Sequence, residues 1–125
     1  LTKLLNPAMR FLFPELKKTS KANKEMSMNI IANILGLGNA ATPLGIRAMN
    51  ELQKENDDKN ILSNSMIMFI VLNTASLQLI PTTVIAIRTS LGSERPSAVI
   101  VPIWIATIVA AVTAVVVTKN LIKKF

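Results

Sequence analysis

Three stretches of this sequence carry no charge at all, and they decide what the chain can become. The intervals 26–46, 60–87 and 96–118 hold 21, 28 and 23 residues without a single Asp, Glu, Lys or Arg. A helix on the surface of a soluble protein keeps a charged face along its length. A run of roughly 20 uncharged, mostly apolar residues instead matches the ~30 Å hydrocarbon layer of a bilayer. Composition agrees: half of the residues are hydrophobic but only 4% are aromatic, so the apolar mass is Ile, Val, Leu, Ala and Met. The expected fold is an all-α integral membrane protein, with two full transmembrane helices and one Gly/Pro-broken or re-entrant helical segment.

The whole chain, 1–125, forms one membrane domain in this view. Residues 1–25 are an interfacial, basic segment; Leu4, Leu5, Ala8, Phe11 and Leu12 fall near one helical face, and Pro7 and Arg10 rule out a signal peptide. Residues 26–47 are the broken segment: Gly36, Gly38 and Gly45 loosen the backbone and Pro43 removes a helical donor, which places the break around Gly36–Pro43. The charged interval 47–59 is expected to be a solvated connector, its acids Glu51, Glu55, Asp57 and Asp58 interleaved with Lys54 and Lys59. Residues 60–87 are an interrupted transmembrane segment, broken by Asn73-Thr74-Ala75-Ser76, Gln78 and Pro81. Residues 97–118 are the cleanest span, about 33 Å long if helical. Lys119, Lys123 and Lys124 close it as snorkelling anchors. Trp104 lies inside this span and suggests nothing beyond packing.

The net charge is +7, but the basic residues flank the apolar runs rather than forming one face. That arrangement suits anionic headgroups and membrane orientation, not nucleic acid. Three plain spans with the N-terminus inside put 8 Lys/Arg inside and 6 outside; making 26–47 a re-entrant hairpin puts 12 inside and 2 outside. The positive-inside rule favours the hairpin. Cys and His are absent, which excludes disulfides, thiol nucleophiles, the usual zinc sites and imidazole chemistry. Neither metal nor cofactor is expected, and the chain is not expected to be an enzyme.

Gly36-Leu37-Gly38-Asn39-Ala40-Ala41 formally fits a dinucleotide fingerprint. That motif needs a preceding strand and an unbroken following helix; Pro43 and the absence of any βαβ pattern argue against it. Inside a membrane, small residues let another helix or a ligand approach the backbone, and broken helices expose amide and carbonyl groups that must face protein or a watery cavity. Asn29, Asn33, Gly36 and Ala40 share one helical face, as do Ser65, Phe69, Asn73 and Ser76. Such amides can read a neutral polar ligand such as a nucleoside, hold an ion, or simply bond neighbouring helices at about 0.6 kcal/mol each. The segments also echo one another, Asn39-Ala40-Ala41-Thr42 before Pro43 and Asn73-Thr74-Ala75-Ser76 before Pro81. Paired interrupted segments are a sequence pointer to a transporter site built from repeats.

The run Asn33-Ile34-Leu35-Gly36-Leu37-Gly38-Asn39-Ala40-Ala41-Thr42-Pro43-Leu44-Gly45-Ile46-Arg47-Ala48-Met49 strongly resembles the central motif of the spore maturation protein A family. So does Asn73-Thr74-Ala75-Ser76 followed by Leu79-Ile80-Pro81-Thr82-Thr83-Val84-Ile85-Ala86-Ile87-Arg88. The resemblance implies a multi-pass protein of the bacterial cell membrane, in endospore formers, acting in core dehydration and heat resistance. It places the chain in a wider nucleoside-recognition, or gate, group that includes parts of nucleoside and ferrous-iron transporters. It also implies a partner similar to spore maturation protein B, or self-association, and further N-terminal membrane segments upstream of Leu1. It supplies no catalytic residue. The expected function is therefore a transport- or gating-type membrane component, with a structural membrane partner lacking a substrate as the alternative. The candidate substrate or gate residues are Asn33, Gly36, Gly38, Asn39, Thr42, Pro43, Asn73, Thr74, Ser76 and Pro81, set where two breaks meet.

Overall fold

A computed structural model describes residues 2–17, 19–75 and 78–124, and every regular element among them is helical. In chain order these are α1 (Thr2–Leu12), α2 (Lys21–Ile34), α3 (Gly38–Glu55), α4 (Asn64–Thr74), α5 (Thr82–Ser90), a single 3₁₀ turn (Pro96–Val99) and α6 (Ile100–Ile122).

Local chemistry sets the boundaries. Ser20 caps α2 by accepting from the Asn23 amide at 3.1 Å, as hydroxyl residues do at helix starts. The end of α2 closes on Gly36, whose φ is +72°. The Leu37 amide reaches back to the Ala32 carbonyl at 2.8 Å and the Gly36 amide to Asn33 at 2.9 Å. That pair of bonds is the Schellman closure, which needs a left-handed residue and so favours Gly. The break is therefore confined to Leu35–Leu37. The expectation that it would extend to Pro43 is corrected: Pro43 sits inside α3. A proline this early in a helix forfeits one bond, leaving the Asn39 carbonyl without its intrahelical donor, and the helix survives.

The charged interval also departs from expectation, because α3 runs on to Glu55. Its apolar stripe, Ala41, Leu44, Ala48 and Leu52, stays buried through the charged part, so packing extends the helix past Arg47. α2 and α3 form an antiparallel hairpin. Arg47 Nε lies 3.4 Å from Glu25 Oε2, and Lys21 Nζ lies 3.9 Å from Glu51 Oε1, so ion pairs join the open ends while Leu35–Leu37 forms the tip. Small residues make the contact close: Ala22, Ala32, Ala41 and Ala48 are buried, and a Cβ on Gly45 would come within 3.0 Å of the Asn29 amide nitrogen. Lys59 finishes the hairpin by donating to the Gln53 carbonyl at 2.7 Å and the Lys54 carbonyl at 3.1 Å, a cation at a helix C-terminus.

The second apolar run is not one rod. It yields the 11-residue α4, about 16 Å long, then an interruption, then α5. Two full spans were expected; among the described residues one helix has spanning length. The unbroken stretch Pro96–Ile122, 27 residues with mean hydropathy 2.6, is long and apolar enough to cross a membrane, and none of its most apolar window is buried within the molecule. Val101, Ile105, Val109, Val112 and Val116 are all more than half exposed. A soluble protein buries such a helix; this one is arranged as if its solvent were hydrocarbon.

The core lies at the charged end. Met9 and Phe13 from the α1 region meet Met26, Leu52, Met66, Met68 and Phe69, with Val115 and Ile122 of α6 packed alongside. Lys119 fastens α6 to α1 by donating to the Phe11 carbonyl at 2.6 Å, its ammonium lying over the Phe11 ring.

Candidate functional site

Three carboxamides, all on uncharged faces, build the centre of the molecule. Asn29 and Asn33 are one turn apart on α2, and Asn73 lies in the last turn of α4. Asn29 is 2% exposed and donates to the Ala41 carbonyl of α3 at 2.8 Å. Asn33 Nδ2 donates to Asn73 Oδ1 at 2.8 Å and more weakly to Asn29 Oδ1 at 3.3 Å. Asn73 Nδ2 is held by the Phe69 carbonyl at 2.8 Å. One chain of amides thus runs from α3 through α2 into α4.

The two helix breaks meet beside it. The Leu79 amide donates to the Ile34 carbonyl at 2.8 Å, and Thr82 Oγ1 donates to the Gly36 carbonyl at 3.1 Å. Gly36 faces the Ile80 carbonyl so closely that a Cβ would fall onto that oxygen. Trp104 reaches across from α6, its indole N–H donating to the Leu79 carbonyl at 2.7 Å. Unwound backbone at membrane depth has to find partners within the protein; the first break finds them in the second, and the second finds another in α6.

A groove of about 680 Å³ opens where these elements converge. Its polar wall is Asn29, Asn33, Thr42, Asn50, Asn73, Thr74 and Gln78; its apolar wall is Ile46, Met49, Phe69 and Ile70; Gly38, Ala41 and Gly45 keep it open. Among the described residues, no ionisable side chain lines it. Arg47 pairs with Glu25, and Arg88 donates to Ser93 Oγ at 3.2 Å and to the Arg95 carbonyl at 3.4 Å, so neither basic residue faces the groove. Outside it, a hydrogen bond from Lys54 holds the Glu51 carboxyl below the usual carboxylate range, with Lys21 adding to the effect.

Five of the ten candidates line the groove: Asn33, Gly38, Thr42, Asn73 and Thr74. Gly36 and Pro81 sit at the breaks; Pro81 is fully buried, and its carbonyl accepts from Ile85 at the start of α5. Asn39 and Pro43 are exposed on α3 and away from the groove. Ser76 lies outside the described residues. Asn50, Gly45 and Gln78 escaped the candidate set. Thr42, Ile46, Met49 and Asn50 follow i, i+4, i+7, i+8 on α3, a spacing that could have found Asn50 had the charged interval been read as helix. The echo between Asn39 and Asn73 is not a structural equivalence either. Asn39 follows its break and Asn73 precedes its own; the positions that correspond are Asn33 and Asn73, each in the last turn before a break.

No protein-family model matches the chain, and no solved structure matches it. Among curated proteins, spore maturation protein A of Bacillus subtilis (strain 168) is 38% identical over 118 residues, covering 94% of this chain and 60% of that protein. The chain therefore spans about 60% of the length of this relative. The resemblance carried by the two motifs is sustained across nearly the whole sequence.

Proposed function

We propose, starting from the chain's homology to spore maturation protein A, that it is a multi-pass component of a bacterial cell membrane acting in spore maturation, in the core dehydration and heat resistance that this family resemblance implies. Its work is to bind or pass a small uncharged polar solute rather than to catalyse a reaction. The observation that carries this reading is the groove: about 680 Å³, lined by amides and hydroxyls, with no ionisable side chain among the described residues, where two interrupted helices meet. Amides present both donors and acceptors, and Phe69 with Met49 offers an apolar face. A solute of nucleoside-like character, with hydrogen-bonding edges and a flat apolar surface, suits both walls. A membrane partner similar to spore maturation protein B, or a second copy of the chain, completes the assembly in this proposal.

A second reading has its own support. The amide chain bonds itself from Ala41 through Asn29, Asn33 and Asn73 to Phe69, which is what side chains that only hold helices together would do. In that case the chain is a structural partner without a substrate. The sequence has no Cys, so single cysteines separate the two readings. In intact membranes, Thr42→Cys and Asn50→Cys are expected to react with a small membrane-impermeant thiol reagent, while Val109→Cys and Val116→Cys stay dark. Labelling at none of the four, with loop positions reactive, replaces the solute site with the structural reading.

A further inference from the structure

A second cavity, of about 150 Å³, lies on the other side of the contact between α2 and α4. Its character is opposite to that of the groove: Leu5 and Leu12 of α1, Ile30 and Ile34 of α2, Leu72 of α4 and Ala111 of α6 make it apolar. Asn33 and Asn73 are the two residues that line both spaces. The wall between groove and cavity is therefore the pair of carboxamides whose 2.8 Å hydrogen bond joins them.

We propose that the Asn33–Asn73 bridge is a closed partition between the two spaces, and that opening it joins them into one path along the α2–α4 contact. This rests on the solute-site reading above. Asn33 Nδ2 already has an alternative acceptor, Asn29 Oδ1, at 3.3 Å. A rotation toward Asn29 breaks the bridge without stranding the donor. Asn73 is held in place through its other end by the Phe69 carbonyl, so the opening leaves Asn73 Oδ1 in position as a vacant acceptor. The partition would then have a closed state on Asn73 and an open state on Asn29 alone, the two states a switch needs. A solute that donates to Asn73 Oδ1 stabilises the open state, and a charged solute finds no counter-charge on either wall. The class selected is an uncharged hydrogen-bond donor, an amide or a hydroxyl compound.

The test uses the cysteine-free chain in membranes, with Ala111→Cys reporting the apolar cavity, Thr42→Cys the groove and Val112→Cys the lipid-facing surface of α6. The probe is a small impermeant thiol reagent. With the bridge intact, Thr42→Cys reacts and Ala111→Cys reacts slowly. Asn33→Ala or Asn73→Ser is expected to raise the Ala111→Cys rate by about threefold or more, the factor one interhelical hydrogen bond in a membrane protein contributes, with Thr42→Cys and Val112→Cys unchanged. An unchanged Ala111→Cys rate in both backgrounds, while Thr42→Cys still reacts, overturns the partition and leaves the solute site standing. A rise shared equally by Val112→Cys reports general loosening and also overturns it. Silence at Thr42→Cys in the parent removes the solute site and the partition with it.

Discussion

Gly36 carries two demands that no other residue meets together. Its φ of +72° is a conformation that costs a residue with a side chain about 1–2 kcal/mol. In addition, a Cβ there would be driven into the Ile80 carbonyl, which belongs to backbone and cannot swing aside. Gly36→Ala is expected to lower stability by about 2 kcal/mol or more and to part the two breaks. Gly38, two residues on, is helical with nothing near the position of its Cβ. Gly38→Ala is expected to stabilise α3 by about 0.5 kcal/mol. Thermal unfolding of the two variants in the same detergent should therefore move the midpoint in opposite directions. Equal effects would mean that Gly36 is not fixed by the opposite break. At this scale the sequence was partly legible. The i, i+4 spacing of Asn29 and Asn33 put both amides on one face, but nothing local in the sequence announces that Asn33 meets Asn73, because that pairing is made by the packing of two separate helices.

The helices show the same division. Gly-rich and Pro-containing interruptions in apolar runs were visible from composition, and both runs are interrupted. Which residue does the interrupting was not visible. Pro43 looks like a breaker and is accommodated, because α3 loses one bond there, whereas Gly36 ends α2 through the geometry of its φ. The extension of α3 through charged residues follows from a buried stripe whose last members, Ala48 and Leu52, lie within the charged interval. Trp104 is the clearest case of information held only in three dimensions: it is the sole Trp and caps the unwound Leu79 carbonyl from a different element. Trp104→Phe keeps the ring and loses the donor. It is expected to cost about 1 kcal/mol in thermal unfolding, whereas a midpoint equal to that of the parent would make Trp104 a packing residue alone. At the open end of the α2–α3 hairpin, Glu51 is held below its usual range by Lys54 first and Lys21 after. A carboxylate with a depressed folded-state pKa stabilises above its ordinary value, about 4.3, and loses that contribution as pH falls through the depressed one. Glu51→Gln is therefore expected to flatten part of the acid-side loss of stability and to change nothing at neutral pH but a small constant offset, read from unfolding midpoints across an acid titration. Glu51 sits in a surface ion-pair cluster, where such effects are small.

For the whole molecule, the arrangement of charge is the strongest argument about orientation. Contacts gather the charged segments at one end: Glu15 accepts from Asn64 at the start of α4, Lys21 and Glu25 face Glu51 and Arg47, and Lys119 at the end of α6 reaches Phe11. Arg88 and Arg95 lie apart, bonded into the turn that precedes α6. Since α2 and α3 return to the same end, a hairpin that does not cross is expected to put 12 basic residues on one side against 2 on the other, the asymmetry that sets membrane orientation. Three plain crossings would scatter the same charges and would pull apart the Arg47–Glu25 and Lys21–Glu51 pairs, placing their partners on opposite faces of the bilayer. Single cysteines at Lys24, Asp57, Glu94 and Lys124 distinguish the two. With the re-entrant hairpin, the first, second and fourth react from the cytoplasmic side and Glu94→Cys from the outside. With three crossings from an internal N-terminus, Lys24→Cys and Glu94→Cys share the inside while Asp57→Cys and Lys124→Cys share the outside. Asp57→Cys decides most sharply, because the loop it occupies is tied by Lys59 to the end of α3 and must follow wherever that helix goes. Finding it on the side opposite Lys24→Cys would dismantle the hairpin as a membrane element, and with it the burial of the two breaks that would give the amide-lined groove its place in the bilayer.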